Sequence, residues 1–318
     1  MKKIFITGVA GFIGFSLANN FLKKKYKVIG IDNFDDYYSV KLKKERLKIL
    51  KKNKNFFFNN IDISNFKKLN NVIKKNKIEI LIHLAAQAGV RYSLINPNKY
   101  IDTNILGFMN LIKSVENKNV KKFIYASSSS VYGDSTKFPL CENDELNPKN
   151  IYGLSKKINE EIAEYYSKIY NIKFVGLRFF TIYGEWGRPD MFLLKMFKAS
   201  KQKKYFHLNN FGKHLRDFTY IGDVINIIDK LIKRKIDKHE IFNICSNNPI
   251  NIYKIVKNFQ KFNFLKLKLV KLHKADVIKT HGDNRKIKKF IKIKKFSTFD
   301  KNFNNILQWY KKNNIDKL

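Results

Sequence analysis

The stretch Ile4-Phe5-Ile6-Thr7-Gly8-Val9-Ala10-Gly11-Phe12-Ile13-Gly14 decides how the rest of this chain is read. Its opening apolar residues predict a strand over 4–7, and the three glycines at intervals of three suit a tight loop leading into a helix over 11–23. In such a loop the backbone amides and the helix N-terminus face a pyrophosphate, because orphan N–H groups and the helix dipole both favour negative charge. The spacing is GxxGxxG, not the commoner GxGxxG, so support has to come from downstream. It comes from Asp32, at the end of a second predicted strand over 27–31 and 24 residues after Gly8. A carboxylate there can accept hydrogen bonds from both hydroxyls of an adenosine ribose and would repel a 2′-phosphate, and the next residue, Asn33, is no arginine to receive one. The expected cofactor is therefore NAD. The bland alternative, a turn carboxylate, loses to the glycine loop upstream.

Working outward, short apolar runs at 56–61, 78–85, 122–126 and 173–177 alternate with segments of helical period at 100–117 and 152–170. That alternation is expected of a parallel sheet covered on both faces, an α/β fold of the Rossmann-type doubly wound kind. After about residue 180 the alternation loosens around Gly184, Gly187, Pro189 and Gly212, so residues 1–180 are expected to bind the dinucleotide and 181–318 to be mainly a smaller substrate-binding domain. Later segments are expected to return to the main sheet.

The formal net charge of +38 would ordinarily suggest nucleic acid or an anionic surface. Here 57 of the 64 basic residues are Lys, spread along the chain among Asn, Ile and Phe, which reads as a bias in residue choice. No nucleic-acid or membrane partner is expected, although a basic nucleic-acid binder stays open as an alternative. The bias has a use. Positions that keep Arg (Arg46, Arg91, Arg178, Arg188, Arg216, Arg234 and Arg285) are candidates for a planar fork of donors that Lys cannot imitate. The start Met1-Lys2-Lys3 followed by an apolar run mimics a secretory leader, but the glycines argue against it, and no apolar run nears the ~20 residues of a membrane span. Cys141 and Cys245 lie far apart, and no His spacing suggests a metal site. A soluble, cytoplasmic protein without a metal is expected.

Tyr152 and Lys156 lie four apart on a predicted helix, hence on one face. An ammonium there is expected to lower the phenol's pKa, letting Tyr152 act as a general base. The spacing alone proves little: Tyr37/Lys41 and Tyr253/Lys257 share it, and about three such pairs are expected by chance in this composition. Position selects Tyr152, which follows a buried strand ending in the hydroxyl run Ser127-Ser128-Ser129-Ser130. The other two pairs are assigned to the surface.

At this point the chain resembles the extended short-chain dehydrogenase/reductases of the NAD-dependent epimerase/dehydratase type. Besides the glycine loop, the resemblance rests on Asp32-Asn33-Phe34-Asp35-Asp36-Tyr37-Tyr38, on His83 to Ser93, on Ser127 to Gly133 and on Tyr152 to Lys156. It continues through Leu177-Arg178-Phe179-Phe180, Gly187-Arg188-Pro189-Asp190-Met191 and Arg216-Asp217-Phe218-Thr219-Tyr220. It implies an isomerase that interconverts UDP-glucuronate and UDP-galacturonate through a transient 4-keto sugar. Tyr152, Lys156 and Ser128 would be catalytic. NAD would lie against Gly8, Gly11, Phe12, Ile13, Gly14, Asp32, Asn33, Asp62, Ile63, Leu84, Ala85, Ala86 and Gln87, and against Asn104, Ser127, Tyr152, Lys156 and Phe179. The UDP-sugar would meet Arg91, Ser128, Ser129, Thr181, Arg188, Arg216 and Asp276. Arg216 would hold the diphosphate and Arg188 the sugar carboxylate. Ala275 and His273 depart from the family's usual residues beside Asp276. Ser129 and Ser130 stand where dehydratases carry an acid and a base, so water loss is not expected. A uronate decarboxylase and an epimerase of UDP-glucose or UDP-N-acetylglucosamine remain open. The resemblance also implies a homodimer packed through the helices at 100–117 and 152–170.

Overall fold

The computed structural model describes residues 2–116 and 118–313; Asn117, where one expected helix ends, and Met1 and 314–318 at the ends of the two expected domains lie outside the described residues. The strands are β1 (Lys3–Thr7), β2 (Lys27–Asp32), β3 (Phe56–Asn60), β4 (Ile80–His83), β5 (Lys122–Ser128), β6 (Lys173–Phe179), β7 (Thr181–Tyr183), β8 (Tyr205–Asn209), β9 (Leu215–Tyr220), β10 (His239–Ile244), β11 (Pro249–Asn251) and β12 (Lys266–Val270). The helices are α1 (Phe12–Lys23), α2 (Val40–Lys51), α3 (Phe66–Asn76), the single turn α4 (Asn98–Tyr100), α5 (Gly107–Val115), α6 (Ile151–Ile169), α7 (Phe192–Lys201), α8 (Ile221–Leu231), α9 (Ile252–Gln260), α10 (Arg285–Ile291) and α11 (Phe299–Asn313).

Seven parallel strands form the main sheet in the order β10-β6-β5-β4-β1-β2-β3, the doubly wound arrangement with a seventh strand added beyond β6. Period-two alternation sorts its side chains onto two faces. On β1, Ile4 and Ile6 join a core with Leu17, Phe21, Val224, Ile228 and Ile287 from α1, α8 and α10. Phe5 joins the opposite core with Leu69, Phe108, Leu111 and Ala163 from α3, α5 and α6. A third core, around Leu193, Phe206, Phe218, Val256 and Ile306, belongs to two small sheets, β11-β9-β7 and β12-β8, with their helices. Thus β10, α8 and α10, all beyond residue 180, pack with the main sheet.

One expected helix is interrupted. Between α4 and α5 the backbone winds as a π-helix over Ile101–Leu106, which the spacing of apolar residues gives no means of foreseeing.

The connection from β1 to α1 depends on missing side chains. Gly8 has φ +67°, and a Cβ on it would lie 2.7 Å from the Ala85 backbone nitrogen at the end of β4. A Cβ on Gly14 would lie 2.2 Å from the Gly8 carbonyl oxygen, so loop and helix touch backbone to backbone. Gly14→Ala should therefore cost about 2–4 kcal/mol through backbone displacement. Urea denaturation of the protein freed of small molecules measures this separately from any loss of ligand, and a variant within 0.5 kcal/mol of wild type, about the spread of neutral surface changes, would contradict the close packing.

Candidate active site

The strand order reverses between β1 and β4, and there the two connections leave for opposite faces of the sheet. A cleft with about 360 Å³ of room opens at these carboxyl ends. One wall carries Gly8, Gly11, Phe12, Ile13, Gly14, Asp32 and Asn33; the other carries Ser127, Ser128, Ser129, Tyr152, Lys156, Phe179, Thr181 and Arg188; Ile63, Leu84, Ala85, Ala86 and Gln87 lie between.

The glycine end is built for an anion. Helix α1 is N-capped by Gly11, which offers no side-chain cap, and a Cβ on Gly11 would meet only the Gly8 peptide within 4 Å. Asp32 locks this loop to β2: its Oδ2 accepts from the Ala10 amide at 3.0 Å and its Oδ1 from the Phe34 amide at 2.9 Å. Each oxygen keeps a further lone pair for a ribose hydroxyl. Burial pushes the Asp32 carboxyl up, partly offset by the Phe34 amide and by Lys43. Just past β4 the Leu84 and Ala85 amides donate to Thr7 Oγ1, each at 3.1 Å, which sets the floor of the cleft.

At the other end of the cleft, Tyr152 and Lys156 stand on α6, whose N-cap Asn150 accepts from the Gly153 amide at 2.9 Å. Ser128 faces the Tyr152 phenol and acts to lower its pKa. Lys156 is buried, and its Nζ has no hydrogen-bond partner among the described residues although it lines the cleft. Burial lowers its pKa to about 8, while Glu160 one turn on opposes the fall. The expected lowering of the Tyr152 phenol by Lys156 is not what the protein alone provides. Burial raises the phenol, and the groups that pull it down are Ser128 and Arg188. Behind this pair, Glu160 accepts two bonds from Arg178, at 2.9 and 2.8 Å, and one from Ser127 at 2.5 Å, a buried network that fixes α6 against β5 and β6. Breaking it by removing one partner costs about 3–5 kcal/mol, since the other charge stays buried.

Several expected residues stand elsewhere. Asn104, on the π turn, is fully buried and bonds both the amide and carbonyl of Gln87 and the Ser155 hydroxyl, so it shapes the cleft wall without lining it. Asp62 accepts from Asn33 at 2.7 Å and from Ser64. Arg91, Arg216 and Asp276 form a separate cluster with His214. Arg91 forks onto Asp276 at 3.1 and 2.7 Å, and Arg216 donates to the carbonyls of Leu215, Val277 and Ile278. Burial lowers Arg216 to about 10, and burial followed by Arg216 lowers His214 to about 4. The cluster holds more cationic groups than carboxylates, which suits a diphosphate.

Tyr37 corrects the surface reading given to its Tyr-x-x-x-Lys pair. It lines the cleft with Tyr38, lies against Gly89 and donates to Asp190 at 3.4 Å. Arg188 rests against both rings, with its guanidinium carbon 5.6 and 5.9 Å from their centres, and forks onto Asp190 at 3.0 and 2.5 Å. Lys43 and Thr103 also line the cleft and escaped sequence reasoning. Lys43 had a signal: with Leu42, Arg46, Leu47 and Leu50 it falls on the buried face of α2.

Fold and site together define a dinucleotide enzyme with a Ser-Tyr-Lys set at the sheet's switch point. The family model of the NAD dependent epimerase/dehydratase family matches residues 4–245, and the chain belongs to that family. It is 38% identical to Protein CapI of Staphylococcus aureus, over 97% of this chain and 98% of that one. It is 37% identical to the UDP-glucuronate 4-epimerase of Thermodesulfobacterium geofontis, over 97% and 96%. Among solved structures it matches UDP-glucuronic acid 4-epimerase from Bacillus cereus in complex with UDP-glucuronic acid and NAD, with a TM-score of 0.92 and 30% identity over 98% and 99% of the two chains.

His214 gives this region an acid sensitivity. Its Nε2 is buried without a hydrogen-bond partner among the described residues, 4.0 Å from Asp276. Above pH 6.5 the ring is neutral folded and unfolded; below it the unfolded chain takes up a proton that the folded chain refuses down to about 4, so stability falls across that window. His214→Gln should flatten this part of the curve, measured by urea denaturation at about pH 7.5 and 5. Parallel losses in variant and wild type would contradict it.

Proposed function

We propose that this chain is a UDP-glucuronate 4-epimerase that interconverts UDP-glucuronate and UDP-galacturonate with bound NAD. The reading is carried by Arg188, which among the described residues is the one guanidinium on the cleft wall and lies close enough to Tyr152 to lower its phenol. A sugar with its 4-hydroxyl at Tyr152 would thus have a cation within reach of a C6 carboxylate.

The residues present fit NAD: an open glycine cradle, free acceptor capacity on Asp32, and the buried Lys156 Nζ that lacks a hydrogen-bond partner among the described residues. Bound there, NAD supplies an acceptor for the electron pair at sugar C4 and returns it. Tyr152 takes the proton of the 4-hydroxyl, Ser128 shares its hydrogen bond with the same oxygen, and the Lys156 ammonium stabilises the phenolate. The 4-keto sugar turns over, and Tyr152 returns the proton once the other face is presented. A 4-keto uronate is a β-keto acid, so its carboxylate must be held to keep carbon dioxide from leaving; that is the role given to Arg188. The UDP part is assigned to Arg91, Arg216 and Asp276, which leaves the sugar free to rotate.

Incubating the purified protein with UDP-glucuronate and resolving products by chromatography tests this. UDP-galacturonate is expected. UDP-xylose would indicate a decarboxylase, and turnover confined to UDP-glucose or UDP-N-acetylglucosamine would overturn the substrate. Tyr152→Phe should lower kcat by about 10²–10⁴-fold with NAD retained. Arg188→Ala should weaken uronate binding and release a decarboxylated sugar nucleotide.

We infer that residues up to Phe180, with α8, β10 and α10, hold the cofactor and lend Arg91, Ser128 and Tyr152 to the sugar nucleotide, and that the remainder from Thr181 on completes the sugar-nucleotide site. Among the described residues no helix is long and apolar enough to cross a membrane. We place the protein in the cytoplasm, where Cys141 and Cys245 would stay free as they are here. We also infer a homodimer. Ile101, Leu106, Tyr165 and Ile169, on the π turn and α6, are 46, 48, 62 and 56% exposed, an apolar surface that a second copy would cover. The wild type should elute at twice the chain mass in size-exclusion chromatography with light scattering, and Tyr165→Glu with Ile169→Glu should elute as a monomer.

A further inference from the structure

Arg46 has no exposed surface, and its donors run to three places at once. Nη1 donates to the Ala10 carbonyl of the glycine loop and to the Tyr38 hydroxyl, both at 2.9 Å. Nη2 donates to the carbonyls of Trp186 at 2.6 Å and Gly187 at 3.0 Å, immediately before Arg188. Ala10 is thereby held through both peptide groups that flank its Cα, its N–H by Asp32 and its C=O by Arg46. A continuous path runs from Asp32 at the ribose end of the cleft through the Ala10 backbone, the Arg46 guanidinium and the Gly187–Arg188 peptide link to Arg188 at the sugar end.

The far end of this path is held in an unfavourable conformation. Trp186 has φ 59°, left-handed for a bulky residue, at a cost of about 1–3 kcal/mol that persists only where surroundings over-determine it. Arg46 Nη2 on its carbonyl is one such restraint; the edge-on contacts of its ring with Phe15 at 5.4 Å and Trp309 at 5.6 Å are others. Lys at position 46 could not replace the fork, because a single ammonium cannot reach acceptors on two loops in two directions.

We propose that Arg46 is a positioning residue that links the seating of the dinucleotide to the placement of Arg188, so that cofactor retention and recognition of the charged sugar are one coupled equilibrium. The link stands on the geometry; only the identity of the sugar that Arg188 meets rests on the function proposed above. Because one guanidinium holds both the glycine loop and the turn before Arg188, a defect at Arg46 should appear at both ends.

The test uses the full-length holoenzyme and the variants Arg46→Lys, Tyr38→Phe, Arg188→Lys and the Arg46→Lys/Arg188→Lys pair. Three readouts are taken: NAD remaining per chain after dilution, tryptophan emission, which in this chain comes from Trp186 and Trp309 alone, and kcat/KM for UDP-glucuronate against UDP-glucose. Arg46→Lys is expected to speed NAD loss and to cut the preference for the uronate, each by about 10-fold or more, with shifted emission. Adding it to Arg188→Lys should reduce that preference little further, because one path carries both effects. Tyr38→Phe removes one acceptor of the same guanidinium and should shift emission and NAD loss in the same direction by less, with an unchanged melting temperature; it decides the matter if Arg46→Lys does not fold. NAD retention and emission within twofold of wild type, or effects of the two Arg substitutions that multiply, would overturn the proposal. If the wild type does not turn over UDP-glucuronate, the substrate reading fails, while NAD retention and emission still decide the link.

Discussion

Backbone contact at the sheet's switch point is the constraint on which the other features depend. The Gly14 Cα lies against the Gly8 carbonyl, and Gly8 in turn lies against the peptide at Ala85, with no side chain between. Because α1 starts that close to β1, its first-turn amides open on the cleft and not on the core. Because Gly8 lies that close to Ala85, the end of β4 forms the floor on which a flat ligand can rest. Asp32, Thr7 and Arg46 then hold the loop by its peptide groups, so its shape is fixed without occupying the space that it encloses.

The end of the cleft at Tyr152 and Lys156 shows the opposite economy, in which charges are gathered and left incompletely matched. Lys156 keeps a buried ammonium without a hydrogen-bond partner among the described residues, a costly arrangement unless a ligand completes it. Glu160, the nearest carboxylate that acts on it, is committed to Arg178 and Ser127. The phenol of Tyr152 stays protonated in such surroundings, and only added positive charge or a bonded substrate brings its proton into play.

In a chain so dominated by Lys, the few arginines mark positions where a directional fork is required. Arg91, Arg178, Arg188 and Arg285 each make paired contacts to a carboxylate, and Arg46 and Arg216 spread their donors over backbone carbonyls. Arg234 is the exception, with no such contact among those described. Residue choice under a compositional bias thus carries structural information that the net charge does not.

What the sequence determined by itself was local or periodic. The glycine spacing, Asp32 at the end of β2, and the apolar runs gave the parallel sheet and its NAD-binding edge, because a loop fitted to a phosphate and a buried strand each leave their mark within a dozen residues. The pair Tyr152 and Lys156 was legible only through the serine run before it. What the tertiary structure alone decided was long-range. Tyr37 left the surface for the cleft because Gly89, 52 positions away, makes room for its ring. Asn104 became a support for Gln87 through a π turn, and Arg46 became a bridge because the loop at Trp186 folds back over the glycine loop. These roles depend on hydrogen-bond partners far apart in the chain, and no spacing in the sequence encodes such a partner until the sheet brings the two segments together.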